Sequence, residues 1–115
     1  MPAKPPPGWF PRRGEVLRAR FASSKARPGI ALSATWLNRF ALDVCVVPLT
    51  TVHDAEFSLR VLLKAGESGL EHDSWAKCDQ VHTVEKRALV YPPLGRLSVS
   101  TLARVEEAVR TALQL

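Results

Sequence analysis

Arg27 stands at the head of the run Pro28-Gly29-Ile30-Ala31-Leu32-Ser33, and Thr50 follows the run Asp43-Val44-Cys45-Val46-Val47-Pro48-Leu49. Both runs are short and mainly apolar, which predicts two strands, one starting just after Arg27 and one ending just before Thr50. A guanidinium is always charged and grips two phosphate oxygens at once. A hydroxyl can hydrogen-bond a phosphate or a ribose 2′-hydroxyl. Fixed at neighbouring strand ends, the two groups suit attack on a phosphodiester. RNA carries its own nucleophile, the 2′-hydroxyl. The protein would have to deprotonate it, stabilise the charge on the phosphate oxygens and see the 5′-oxygen protonated. Arg27 suits the second task and, with its high pKa, not the role of base. Pro28 biases the residue before it toward extended backbone, which aims the Arg27 side chain. Taken singly, a surface arginine and a strand-ending threonine are the plainer explanations.

A third segment carries further candidates. Ser74 to Val81 reads as a strand in which Trp75, Lys77, Asp79 and Val81 share one face, while Ala76 and Cys78 turn toward the core. Lys77 would hold phosphate, and Asp79 would accept a proton or orient a base. An ion pair on a solvated face is the competing account, and such pairs contribute little. His53, His72 and His82 are the remaining acid–base candidates, and only His53 lies close to Thr50 in sequence. Cys45, Cys78 and His82 lack the paired spacing of a structural zinc site, so neither a metal nor another cofactor is expected. Both cysteines lie in strand-like apolar surroundings and are expected as buried, reduced thiols.

The elements that must position these groups follow from pattern. A chain of 115 residues holds one core. With 46% hydrophobic residues it is too apolar to be disordered. No apolar run approaches the ~20 residues of a membrane helix, and the N-terminus has no apolar signal core, which predicts a cytoplasmic protein that does not enter a membrane. Residues 1–11 hold five prolines and read as an extended leader, with 12–115 as the single domain. Within the leader, Trp9 and Phe10 either pack back on the domain or stay free for a partner.

From Glu15 to Phe21, Leu17, Ala19 and Phe21 alternate with Val16, Arg18 and Arg20, a half-buried strand. Trp36 to Phe40 reads as a helical turn. The Asp43 to Leu49 run predicts a central strand buried on both faces. Phe57 to Lys64 is a further alternating strand. Val84 to Leu89 reads as a short helix or turn, and Val90 to Leu97, broken by Pro92-Pro93, as an edge strand. Ser98 is a good N-cap for a last helix over Val99 to Leu113, with Leu102, Val105, Val109, Ala112 and Leu113 as its apolar stripe. Five or six short strands closed by one helix predict a mainly β fold, a small, strongly bent antiparallel sheet or barrel.

Charge points the same way as the candidate site. Through Arg27 the chain carries seven Lys or Arg against Glu15 as the one acid, a net +6 of the total +5, so the remainder nets −1. A basic N-terminal quarter suggests a polyanion contact.

Four motifs in order resemble the MazF/PemK family of toxin endoribonucleases. Arg13-Gly14-Glu15 resembles the family's opening strand, Arg27-Pro28 its Arg-Pro before the second strand, and Val46-Val47-Pro48-Leu49-Thr50 its strand ending in Thr. Cys78-Asp79-Gln80 with Thr83 resembles the strand of the PemK/Kid branch. The resemblance implies an SH3-like β-barrel with helices, a homodimer, metal-independent cleavage of single-stranded RNA, and a cognate antitoxin that covers the site. DNA would be met only through the antitoxin complex. Carried over, the catalytic residues are Arg27, Thr50 and Asp79, and Lys25, Thr51, His53, Lys77 and Gln80 would contact RNA. The loop Ala22-Ser23-Ser24-Lys25-Ala26 is shorter than the family's and has no acid or histidine, and a lysine stands at 77 where relatives have arginine. The base is therefore open. The competing class is a non-catalytic module on the same barrel that binds nucleic acid or poisons a protein target, as the fold-sharing CcdB inhibitors do gyrase.

Overall fold

The structure, a computed structural model, describes residues 3–22, 25–53 and 59–115. In chain order the elements are β1 (Glu15–Arg20), β2 (Ala26–Ala31), α1 (Thr35–Phe40), β3 (Asp43–Thr50), β4 (Arg60–Leu63), β5 (Ser74–Lys77), β6 (His82–Glu85), β7 (Leu89–Arg96) and α2 (Val99–Leu113). Short 3-10 turns at Glu67–Gly69 and Lys86–Ala88 precede β5 and β7. All pairings are antiparallel, in the order β4-β5-β3-β2-β1-β7, with β6 also on β3. Among the described residues no pairing joins β4 to β7, so the bent sheet stays open rather than closing into a barrel. No helix of the described residues is long and apolar enough to cross a membrane.

The sheet buries both faces, which explains the continuous apolar run of β3. Val47 and Leu49 point into a core with Val16, Ile30, Leu63 and Ala76 that α2 covers through Val105 and Val109. Val44 and Val46 point the other way, into a second core with Leu17, Ala19, Ala31 and Leu89. β1 departs from simple alternation for the same reason. Val16 and Leu17 are both fully buried, one in each core, and the pairing with β7 slips between Val16 and Arg18. The expected solvent-facing Val16 is thus a core residue, because successive residues point to opposite faces and both faces of the sheet are covered here.

α2 begins where the N-cap signal places it: the Ser98 hydroxyl accepts from the Thr101 N–H. Its buried residues are Thr101, Val105 and Val109, with Leu113 half exposed, so the contact is shorter than the apolar stripe. The leader packs back. Trp9 lies against the second core and edge-on to Tyr91, with ring centroids 5.4 Å apart, and Pro11 is fully buried. Cys78 is buried and Cys45 only partly so, and both are free thiols.

The largest correction concerns the strand expected over 74–81. β5 ends at Lys77, and Gln80 N–H donates to the Lys77 carbonyl at 2.9 Å across a turn. The chain then re-forms a strand, β6, where a helix or turn is predicted to start. β5 and β6 pair successive stretches of β3. Leu49 faces Ala76, and continuing that register would set Val46 against Asp79, but Val46 faces His82. Three residues, the step from 79 to 82, are looped out, and every later side chain moves with them. The strand expected over 57–64 is described only from 59 onward, with β4 at Arg60–Leu63.

Candidate active site

Residues directly opposite on antiparallel strands project from one face. Gly29 faces Pro48 on β2 and β3, and two residues further along the same register Arg27 falls against Thr50. Arg27 lies inside β2, opposite Ala19 of β1, rather than just before the strand, and Thr50 is the last residue of β3. Thr50 in turn faces Trp75, which faces Leu62, and one step away Lys77 faces Arg60. One face of four strands therefore presents Arg27, Thr50, Trp75, Lys77 and Arg60.

Arg27, Thr50, Thr51, Lys77, Gln80 and His82 line an open groove of about 420 Å³, with Phe21 between β1 and β6. Arg27 is exposed, and among the described residues its guanidinium has no ion-pair partner. Thr50 is half-buried, and its hydroxyl accepts from the Val52 N–H at 3.1 Å, which leaves the hydroxyl proton to donate. Gly29, two residues after Arg27, packs tightly. A Cβ there would lie 2.5 Å from Val46 Cγ1 and 3.2 Å from Phe21 Cζ, so only glycine lets Phe21 and β3 approach this closely. His82 stands edge-on to Phe21, with centroids 5.2 Å apart.

The candidates sort unevenly. Arg27, Thr50, Thr51, Lys77 and Gln80 line the groove. Lys25 is exposed ahead of β2 and does not line it. Asp79, expected beside Lys77, sits exposed in the looped-out turn and is absent from the groove wall, because the three-residue shift carries it away. His53 also lies outside the groove, stacked on Trp75. The histidine in the groove is His82, which no spacing singles out: it reaches the wall only through the shifted pairing of β6 with β3. Phe21 lines the groove with no motif to mark it, while Trp75, expected on the face of Lys77, and Arg60, opposite Lys77, lie outside the groove wall.

Burial pushes the Cys78 thiol up to about 11, opposed by a backbone hydrogen bond from Val61 and reinforced by the nearby Asp79 carboxylate. Cys78 is thus a protonated core residue at neutral pH. The basic N-terminal quarter does not form one surface. Arg13 pairs with Glu106 at 2.5 Å and donates from Nε to the Leu32 carbonyl, a pin between the first strand and α2. Arg18 and Arg20 line two other hollows. Arg27 shares the groove with one other cation among the described residues, Lys77, from distant sequence.

The chain and its fold have known relatives. The chain is 30% identical to the endoribonuclease MazF9 of Mycobacterium tuberculosis, over 90% of this chain and 97% of that protein. It superposes with a TM-score of 0.79 on a mycobacterial endoribonuclease solved with its cognate antitoxin, at 28% identity over 91% of this chain and 96% of the other. The toxin MazF-mt6 of M. tuberculosis gives a TM-score of 0.77 at 26% identity, over 88% and 97% of the two chains. A family profile matches residues 12–113, and the chain belongs to the PemK-like, MazF-like toxins of type II toxin–antitoxin systems.

Proposed function

We propose that this protein is an endoribonuclease toxin that cuts single-stranded RNA by attack of the ribose 2′-oxygen on the adjacent phosphorus. The P–O5′ bond breaks, leaving a 2′,3′-cyclic phosphate and a 5′-hydroxyl. The observation that carries the reading is that Arg27 and Thr50, from adjacent strands, line one groove. Arg27 grips the phosphate oxygens and stabilises the charge that builds on them, which usually is the largest single catalytic effect. Thr50 donates its hydroxyl proton to phosphate or to the ribose. With Asp79 out of the groove, His82 takes the 2′-hydroxyl proton, a role imidazole fills near neutral pH. Lys77 on the same wall meets the charge developing on the departing 5′-oxygen, which takes its proton from water.

Incubation of the purified protein with a long single-stranded RNA in EDTA tests this. Cleavage to 5′-hydroxyl ends supports it. Loss of cleavage in EDTA, 5′-phosphate ends or intact RNA overturns it, and intact RNA would favour a non-catalytic binding module.

The same reading places the protein in the cytoplasm with a cognate antitoxin that lays an acidic segment over Arg27 and Lys77. Antitoxin should then displace labelled RNA from the Arg27→Ala protein, and RNA that stays bound would refute it. It also includes a two-fold dimer. Trp36, Phe40 and Leu42 around α1 are 69%, 74% and 84% exposed, an apolar face that a second copy would cover. Light scattering should report a dimer, and a monomer at micromolar concentration that cleaves at full rate would exclude it.

A further inference from the structure

Trp75 and His53 form a parallel stack, with ring centroids 4.6 Å apart and planes 10° from parallel. Trp75 is half-buried on β5, while His53 is exposed, so the imidazole is the outer layer. The segment bearing His53 is held in place from both sides. The Val52 N–H donates to Thr50 Oγ1 at 3.1 Å, and the Val52 carbonyl accepts from Arg60 Nη1 at 3.1 Å. Both polar groups of the residue before His53 are thereby used to set the imidazole over the indole. The pairings that place Thr50 against Trp75, and Lys77 against Arg60, put this stack directly beside the threonine, with the two cations side by side in the next row. Nothing in the proposed phosphodiester chemistry uses Trp75, His53 or Arg60.

We propose that the Trp75–His53 stack is a nucleobase platform: it holds a base of the RNA strand next to the scissile phosphate, on the Trp75 side of Thr50. A single-stranded nucleic acid binds best where aromatic faces take its bases while cations follow its backbone. Here the spare donors of Arg60 and the Lys77 ammonium lie together next to the stack, so the strand runs from Arg27 across β3 and β5 toward β4. A flat base extends the imidazole face, and its neighbouring phosphates meet the two cations. Arg60 is a positioning residue for His53 through the Val52 carbonyl. Any base has a π-face, so the platform contributes grip and register rather than a sequence code. The proposal rests on RNA being the substrate, and it adds where the strand lies.

The test is fluorescence anisotropy with two labelled probes of equal length and charge: a 2′-O-methyl oligoadenylate, which lacks the nucleophile, and an abasic oligonucleotide. The parent protein should bind the oligoadenylate roughly tenfold more tightly than the abasic probe, and Trp75→Leu should lose that advantage while binding the abasic probe as the parent does. Trp75→Phe keeps a ring and should retain most of the advantage. Equal affinity of the parent for the two probes, equal loss on both probes in Trp75→Leu, or unchanged discrimination in that variant overturns the platform. If Trp75→Leu fails to fold, the parent and Trp75→Phe still decide, because both must prefer the probe with bases. A protein that discriminates the probes but never cuts RNA retains the platform and loses the nuclease reading. One that cuts RNA without discriminating does the reverse.

Discussion

Replacing Arg27 by alanine should separate activity from stability. The side chain is exposed and has no ion-pair partner among the described residues, and β2 is held to β1 by backbone pairing opposite Ala19. A surface substitution of this kind changes stability by about 0.5 kcal/mol or less. For a domain of this size that is a shift of about 2 °C in Tm. Activity should respond on another scale. A preorganised donor aimed at developing phosphate charge contributes about 3 kcal/mol, so cleavage should fall by roughly 10²- to 10³-fold. Arg27→Lys restores the charge without the fork and should recover only part of the loss. Single-turnover cleavage with enzyme in excess, in EDTA, measures the chemical step, and thermal melting run beside it measures the fold. Arg27→Ala cutting within about threefold of the parent would refute the assignment, since no stabiliser of the transition state is removed so cheaply. A Tm drop of about 8 °C or more would show the residue to be structural instead.

Three further expectations follow from the geometry. His82→Gln should lower the cleavage rate by roughly 10²-fold or more and flatten its pH dependence, whereas His53→Gln should weaken RNA binding and keep the shape of the pH profile, and the reverse pattern in pH–rate measurements would move the base to His53. Gly29→Ala brings a methyl to 2.5 Å from Val46 Cγ1 and should destabilise by about 1–3 kcal/mol, read as a lower denaturant midpoint, and an unchanged midpoint would mean that the strands are not so closely apposed. The Cys78 thiol has its ordinary value of 9.0 raised to about 11 in the folded protein, so its stabilising effect is complete below pH 9.0 and is lost as pH rises through about 11. Roughly 3 kcal/mol should disappear over that interval, and an equally steep alkaline loss in Cys78→Ala would place the cause elsewhere.

The sequence by itself determined the elements whose signals are local. Ser98 and the stripe through Val105 and Val109 define α2, because capping and the 3.6-residue period act within one helix. The apolar run of β3 marks the central strand, and Arg27 and Thr50 are legible from residue type, strand position and family wording. The misplacements share one physical cause, register. A strand carries no internal record of which partner residue it faces, and a looped-out turn of three residues costs little in sequence pattern. That turn, at Asp79, carries one candidate residue off the groove wall and brings His82 onto it, which only pairing against β3 could decide. The cations divide in the same way. Seven of them near the N-terminus suggest one surface, yet Arg13 goes to Glu106, and Arg27 joins Lys77 from a strand far along the chain. Composition sets how much charge the protein carries. Which charges share a face is fixed by the cross-strand alignment of β2, β3, β5 and β4, a property of long-range pairing.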